Sequence, residues 1–207
     1  MNHASSSIHS HPLHGSYSPF VGMSNKRTST AAQKPPTSLA KSVIISEQAS
    51  LIGINHITIG ANTVIHPRSK LNSMNVPISI GNNCIISERC RIGLQGDLSP
   101  SEALSINIEN GVVIETGAVV EASVIGEGCI LEVNSKIGKG AILGKFCKIG
   151  PSCEVNDKEI IPDFTVIYGT GQRRIDSSGI ESLKLKMVAK QIDVLRKIIP
   201  SSVAHFN

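Results

Sequence analysis

The sequence predicts an all-β chain: a parallel β-helix with triangular coils, followed by one C-terminal α-helix. Three observations predict it. An aliphatic residue returns every six positions through most of the chain, glycine often follows that residue, and near the end the apolar spacing changes to three and four. A six-residue unit holds one short strand and a corner but cannot bury its own face, so such units must stack into a solenoid.

The six-residue period is clearest after residue 107, where one repeat is a residue short. The repeating residues are Ile108, Ile114, Val120, Ile125, Leu131, Ile137, Leu143, Ile149 and Val155, preceded by Ile45, Leu51, Ile59, Ile65, Leu71, Ile80, Ile86 and Ile92 and followed by Ile161 and Ile167. Three units form one coil, and neighbouring coils lie roughly 4.8 Å apart. The pattern resembles that of hexapeptide-repeat proteins, which implies left-handed winding; the usual crossover rule favours the opposite hand.

The cysteines support this frame, because each lies four residues after a repeating aliphatic residue. They are Cys84, Cys90, Cys129, Cys147 and Cys153, and the equivalent positions hold Thr63, Ser69, Val112, Ala118, Val124, Ser135, Ala141 and Thr165. We interpret this position as an inward slot for a small side chain. An odd count and the absence of a CxxC motif disfavour a disulfide framework or a zinc site, and reduced thiols indicate an intracellular protein.

Composition predicts three regions: a disordered tail rich in Ser, His and Pro over 1–41, the β-helix over 42–170, and a linker with a helix over 171–207. The tail also fits a mitochondrial transit peptide, and its histidines at 9, 11 and 14 are an alternative metal tract. All of the net charge of +4 lies in the tail, so the folded part lacks the charge of a nucleic-acid-binding domain. No apolar run is long enough to cross a bilayer.

Two segments interrupt the repeat, and a helix follows it. Residues 93–105 predict a loop that protrudes from one corner, residues 72–77 form a smaller interruption, and the phase slips between Leu51 and Ile59. The helix is predicted over about 180–199, with a capping box at Ser178 and Glu181 and a stop at Pro200. Its apolar stripe consists of Leu185, Val188, Ile192, Leu195 and Ile199.

The segment SKIGKGAILGKFCKIG, residues 135–150, is similar to a phosphate-binding loop without matching it. Five residues separate Gly138 from Gly144, whereas a P-loop has four, and Phe146 stands where a Ser or Thr is needed. The repeat instead places the lysines of this segment on different outer faces. We expect Lys136 beside Glu154 and Lys145 beside Glu127 on adjacent coils.

Hexapeptide-repeat proteins include acyltransferases, zinc-dependent γ-carbonic anhydrases and non-catalytic scaffolds, and the fold alone does not choose among them. The three zinc-binding histidines of the second class are poorly matched, because His56 and His205 lie far from the pattern expected around His66. The first class uses a histidine base on a loop, and residues 93–105 contain none. A stripe of acidic residues is interpreted as a solvated face that could steer a partner: Glu109, Glu115, Glu121, Glu127 and Glu132.

From about Val43 to Ile199 the chain resembles the dynactin subunit 6 family. The resemblance rests on TVIHP at 63–67, the repeats of 108–155, and IPDFTVIYG at 161–169 followed by Arg173 and Arg174. It implies a left-handed β-helix and a non-catalytic structural subunit, with no catalytic residue, cofactor or metal. The implied partners are dynactin subunit 5, the pointed-end actin-related protein, other dynactin subunits and, indirectly, dynein.

The resemblance also implies microtubule-based transport in the cytoplasm and cytoskeleton, without nucleic-acid binding or membrane insertion. Candidate residues of a partner interface are Tyr168, Arg173, Arg174, Met187, Glu115 and Glu121. The alternative from another class is a mitochondrial γ-carbonic-anhydrase-like hexapeptide-repeat protein, either a zinc enzyme or a degenerate subunit of a respiratory complex.

Overall fold

A computed structural model of the chain describes residues 33–96 and 105–206. Most of the predicted tail (1–32), the centre of the predicted loop (97–104) and residue 207 lie outside the described residues. In the described part the chain winds through short strands, three to a coil, and then forms one α-helix followed by a short C-terminal segment. The prediction of a left-handed parallel β-helix with a C-terminal helix is confirmed.

The strands follow one another in coil order. The first three coils hold β1 (Thr37–Leu39), β2 (Ile44–Ile45), β3 (Ser50–Gly53), β4 (Ile57–Ile59), β5 (Val64–Ile65), β6 (Lys70–Ser73), β7 (Ile78–Ile80), β8 (Ile85–Ile86) and β9 (Arg91–Ile92). The next three hold β10 (Ile106–Ile108), β11 (Val113–Ile114), β12 (Val119–Val120), β13 (Val124–Ile125), β14 (Ile130–Leu131), β15 (Lys136–Ile137), β16 (Ile142–Leu143), β17 (Lys148–Ile149) and β18 (Glu154–Val155). The last turn holds β19 (Ile160–Ile161), β20 (Thr165–Tyr168) and β21 (Gln172–Ile175).

Each strand pairs with its counterpart in the next coil, which produces three parallel sheets. Sheet 1 runs β1-β4-β7-β10-β13-β16-β19, sheet 2 runs β2-β5-β8-β11-β14-β17-β20-β21, and sheet 3 runs β3-β6-β9-β12-β15-β18. All of these pairs are parallel except β20 with β21, a terminal hairpin. We call the turns from sheet 1 to 2, from sheet 2 to 3 and from sheet 3 to 1 corners 1, 2 and 3. The strand β1 lies within the range 1–41 that the sequence assigned to the tail.

Coil length varies along the solenoid, and the variation lies mostly at corner 3. From β13 onward, paired residues such as Ile130 and Lys148 are 18 positions apart. In the early coils the spacing is 20 for Thr37 with Ile57 and 21 for Val64 with Ile85. Extra residues at corner 3 account for the phase slip after Leu51, and the first coil is complete despite it.

The core is a set of stacked aliphatic columns inside the triangle. One column in sheet 2 consists of Ile45, Ile65, Ile86, Ile114, Leu131, Ile149 and Ile167, all fully buried. The prediction of an inward slot for small side chains is confirmed for the cysteines, since all five are buried and unpaired by disulfides. It is wrong for Val124, which is half-buried in β13 and faces outward; because the repeat is a residue short here, Ala122 is the buried residue.

The helix α1 (Glu181–Ile198) packs on the outer face of sheet 2. Val188 and Ile192 are buried against a column of outward side chains from sheet 2, and Leu195 and Ile199 pack at its edge. That column consists of Ile44, Val64, Ile85 and Val113. The outward residues of an ordinary solenoid face are solvated, so these four apolar residues mark where the helix docks.

The predicted capping box of the helix is wrong. Ile180 is the N-cap residue and makes no side-chain cap hydrogen bond. Gly179 has a φ of +65°, a left-handed conformation, so the helix cannot begin directly after Ser178. The carboxylate of Asp176 instead accepts hydrogen bonds from the backbone N–H of Ser178 and from Nζ of Lys184 at 3.1 and 2.7 Å.

The C-terminal segment returns to the first coil. The N–H of Ser202 donates to the carbonyl of Ile45 at 2.8 Å, and Thr37 Oγ1 donates to the carbonyl of Phe206 at 2.7 Å. Val203 and Phe206 pack against the end of the core. Sheet 2 is thus covered at both ends, by this segment and by β21, which removes unpaired edges that invite aggregation.

Among the helices of the described residues, none has the length and apolar character needed to span a membrane.

We predict that Ile86→Ala lowers the free energy of unfolding by about 2–5 kcal/mol, because it leaves a cavity between two neighbouring rungs. Denaturant unfolding followed by circular dichroism measures this. The matched control is Ser79→Ala in the same coil, whose side chain is exposed. An equal, small effect of both substitutions would contradict the assignment of Ile86 to the core.

Candidate functional site

At corner 3 of the early coils, the same hydrogen-bond pattern of an asparagine side chain occurs in two successive coils. Asn55 Nδ2 donates to the carbonyl oxygens of Ser73 and Met74 at 2.8 and 3.0 Å. One coil later, Asn75 Nδ2 donates to the carbonyl oxygens of Leu94 and Gly96 at 3.2 and 2.8 Å. These amides hold the extra residues of each corner over the next coil and give this edge of the solenoid a polar rim.

Beside this rim, the outer face of sheet 3 contains a polar cavity of about 320 Å³. Lys70 of β6 and Arg91 of β9 are paired in register, so their side chains leave the same face on adjacent rungs. Asn72, Asn75 and Gln95 also line the cavity. Arrays of this kind, two cations with neutral amides, suit an anionic group.

Gly93 shapes the floor of this cavity. Its φ is +137°, and a Cβ atom at this position would lie 2.2 Å from the carbonyl oxygen of Asn72. A side chain is therefore excluded by both backbone conformation and space. Lys70 and Arg91 line the same cavity beside this close approach of the two rungs.

Two histidines of the solenoid have different environments. His56 is exposed at corner 3, and its Nε2 lies 2.9 Å from the hydroxyl oxygen of Ser38 in the preceding coil. His66 is half-buried at corner 2, where its Nε2 has no hydrogen-bond partner. Burial lowers the pKa of His66, although the nearby charge of Glu88 opposes this shift. His56 is thus the solvent-accessible imidazole of the pair.

The described residues contain no group of three or more His, Cys, Asp or Glu side chains that could hold a metal ion. His205 lies in the C-terminal segment, in a short 3₁₀ turn (Val203–His205). The zinc chemistry of the alternative prediction therefore finds no ligand set in this part of the chain.

The buried thiols of Cys84, Cys90 and Cys129 are poor nucleophiles. Burial raises the pKa of Cys84 to about 11 and that of Cys90 to about 12. A hydrogen bond with Cys147, together with burial, raises the pKa of Cys129. The thiolate is the reactive form of cysteine, so these side chains serve packing and not covalent chemistry.

The six predicted interface residues lie on several elements of the fold, and their role as an interface stays a prediction. Tyr168, Arg173 and Arg174 lie on the hairpin β20–β21, where Arg173 forms an ion pair with Glu159 at 2.6 Å. Met187 is exposed on α1. The remaining two belong to the fourth coil but to different sides of it: Glu115 follows β11 of sheet 2, whereas Glu121 follows β12 of sheet 3 and accepts a hydrogen bond from the N–H of Gln95.

The lysines of the segment 135–150 do not converge. Lys136 projects from sheet 3 and forms an ion pair with Glu154, as predicted. Lys148 projects from sheet 2 and pairs with Glu132 at 2.8 Å. The pairing of Lys145 with Glu127 stays a prediction. The phosphate-loop interpretation is excluded by these separate directions.

Sequence reasoning missed the cavity on sheet 3. The signal was present as two triplets, Arg68-Ser69-Lys70 and Arg89-Cys90-Arg91, which begin 21 residues apart. A strict 18-residue coil does not bring them together, whereas the observed 21-residue spacing does.

The fold is similar to solved structures of hexapeptide-repeat transferases. A "putative acetyltransferase" of Bacillus cereus has a TM-score of 0.55 and 15% identity, over 80% of this chain and 92% of that one. A hexapeptide transferase family protein of Anaplasma phagocytophilum has a TM-score of 0.50 and 16% identity, over 79% of this chain and 95% of that one. No protein-family model matches the chain, and no curated protein matches its sequence.

These comparisons contradict two predictions made from the sequence. The structural role in dynactin and dynein-driven transport is wrong, and so is the conclusion that the chain is not an enzyme, because the similar structures are transferases. The quoted residues behind the resemblance have general roles in a solenoid: 63–67 form a rung and a corner, and 165–175 form a terminal hairpin. The partners and the location implied by the resemblance are untested.

We predict that the native protein shows no rapidly reacting cysteine toward iodoacetamide at pH 8, because burial shields the five thiols and the raised pKa of Cys84 and Cys90 suppresses their thiolates. Mass spectrometry after a short exposure checks this. The control is the same reaction in denaturant, where all five should be modified. Fast modification of Cys84 or Cys90 in native protein would contradict the inward slot.

Proposed function

We propose that the chain is an acyltransferase of the hexapeptide-repeat type, which transfers an acyl group from a thioester to an amine or hydroxyl acceptor. The observation that supports it is the similarity of fold to the acetyltransferase of Bacillus cereus, of which 92% is covered. A scaffold role needs no accessible acid–base group, whereas this chain presents one at the edge of its extended corner.

We assign the role of general base to His56. In acyl transfer the acceptor nitrogen or oxygen attacks the thioester carbonyl, loses its proton to a base, and the carbon–sulfur bond breaks to release a thiol. The Nε2 of His56 lies against the hydroxyl of Ser38. If Nε2–H donates to that hydroxyl, Nδ1 is the proton acceptor, and the Ser38 contact orients the ring.

The position of His56 is consistent with this role. Ile57, which follows His56, pairs in register with Ile78, and Ile78 pairs in turn with Ile106. His56 therefore lies at corner 3, the same corner that holds Gly96 and Ser105. The Nε2 atom of His66 is buried and therefore has no access to solvent.

The test uses the full chain with acetyl coenzyme A and a panel of amine and hydroxyl acceptors, and measures released thiol with a chromogenic disulfide. The chain's own thiols are buried, so we expect no rapid contribution from them. We expect acceptor-dependent thiol release, reduced about 100-fold or more in kcat by His56→Gln. The matched control is His205→Gln, an exposed histidine on the C-terminal segment, which should leave the rate unchanged.

Absence of acceptor-dependent release across the panel would overturn the proposed function. Release that His56→Gln leaves intact would overturn the assignment of the base alone. Both variants replace exposed side chains, so thermal unfolding should show them folded like the parent chain.

A further inference from the structure

The stacked charges on sheet 3 are unusual within this protein. Lys70 and Arg91 are partners in register, and neighbouring strands in a sheet lie about 4.8 Å apart. Like charges directly opposite one another destabilise a sheet. Elsewhere on the same face, Lys136 has the carboxylate of Glu154 as its register partner and forms an ion pair with it.

Neither cation is neutralised by the part of the chain that the structure describes. The ion pairs there involve Lys136, Lys148, Arg173 and Lys184. The nearest rung toward the C-terminus carries Glu121, whose Oε1 accepts the N–H of Gln95 at 3.1 Å. Lys70 and Arg91 therefore project beside the cavity without a carboxylate partner among the described residues.

Two further cations strengthen the positive field. Arg68 and Arg89 stand two positions before Lys70 and Arg91, on the exposed surface of corner 2 in the same two coils. Four basic residues thus occupy two adjacent rungs. Such a patch raises the local concentration of anions and speeds their association.

The cavity adds directional donors to this charge. Asn72, Gln95 and Gly93 line it in addition to both cations. Its volume of about 320 Å³ is at the lower end of the range of small-molecule sites, roughly 300–1,000 Å³. An arginine binds phosphate oxygens through two parallel hydrogen bonds, and a lysine adds a point charge.

We propose that this cavity binds the diphosphate group of a phosphorylated small molecule, with Arg91 and Lys70 each contacting one phosphate. Two cations on adjacent rungs match two linked phosphates better than one. The inference goes beyond the proposed function and does not depend on it, because binding requires neither a thioester nor His56.

The experiment is isothermal titration calorimetry of the full chain with inorganic pyrophosphate, repeated with ADP and with sulfate. We expect saturable one-to-one binding of pyrophosphate that weakens as salt rises from 50 to 200 mM. Arg91→Gln and Lys70→Gln should each weaken binding at least about tenfold. Arg91→Lys should restore part of the affinity, since it keeps the charge but loses the paired hydrogen bonds.

Lys136→Gln is the matched control, because it removes an equal charge from the same column of sheet 3 outside the cavity, and it should bind like the parent chain. Tighter binding of ADP than of pyrophosphate would identify a nucleotide as the source of the diphosphate, and equal binding would identify diphosphate itself. Three results would overturn the inference: no saturable binding, equal affinity for sulfate, or full affinity in Arg91→Gln. If the full chain binds pyrophosphate but shows no acyl transfer, the result rejects the proposed function and leaves the diphosphate site standing.

Discussion

The main-chain hydrogen bonds between successive coils determine the position of every side chain in the solenoid. Each rung places one aliphatic residue over the equivalent residue of the previous coil, so a continuous column is buried although no single coil could bury its own. The same ladder stacks the small inward side chains, which explains why five cysteines are compatible with one narrow core. Corners, sheets and outer faces all follow from this vertical register.

The register also decides which charges meet. In the later coils an 18-residue spacing sets Lys136 beside Glu154, a favourable but exposed pair of at most about 1 kcal/mol. In the early coils a 21-residue spacing sets Lys70 beside Arg91, an unfavourable pair that a bound anion would relieve. A few extra residues at corner 3 thus decide whether a cation on sheet 3 lies beside a carboxylate or beside another cation.

Closure of the ends is the second constraint on an open stack. The helix α1 crosses the outer face of sheet 2 on four apolar residues and carries the chain back to its first coil. There Val203 and Phe206 cover the end of the core, while β21 covers the opposite end of sheet 2. The outermost coils, which have only one neighbour, gain the contacts that the inner coils obtain from stacking.

By itself the sequence determined the fold class, the inward aliphatic and cysteine positions and the apolar stripe of α1, because a regular period of six, or of three and four, is a local property of the chain. The tertiary structure decided what depends on corner length: the meeting of Lys70 with Arg91, the replacement of Val124 by Ala122 in the slot, and the exposure of His56 but not of His66 Nε2. The repeats and the terminal hairpin suggested a dynactin subunit, but a repeat pattern reports stacking and not chemistry. Neighbours across coils are 17 to 28 residues apart, and interrupted repeats do not encode that distance.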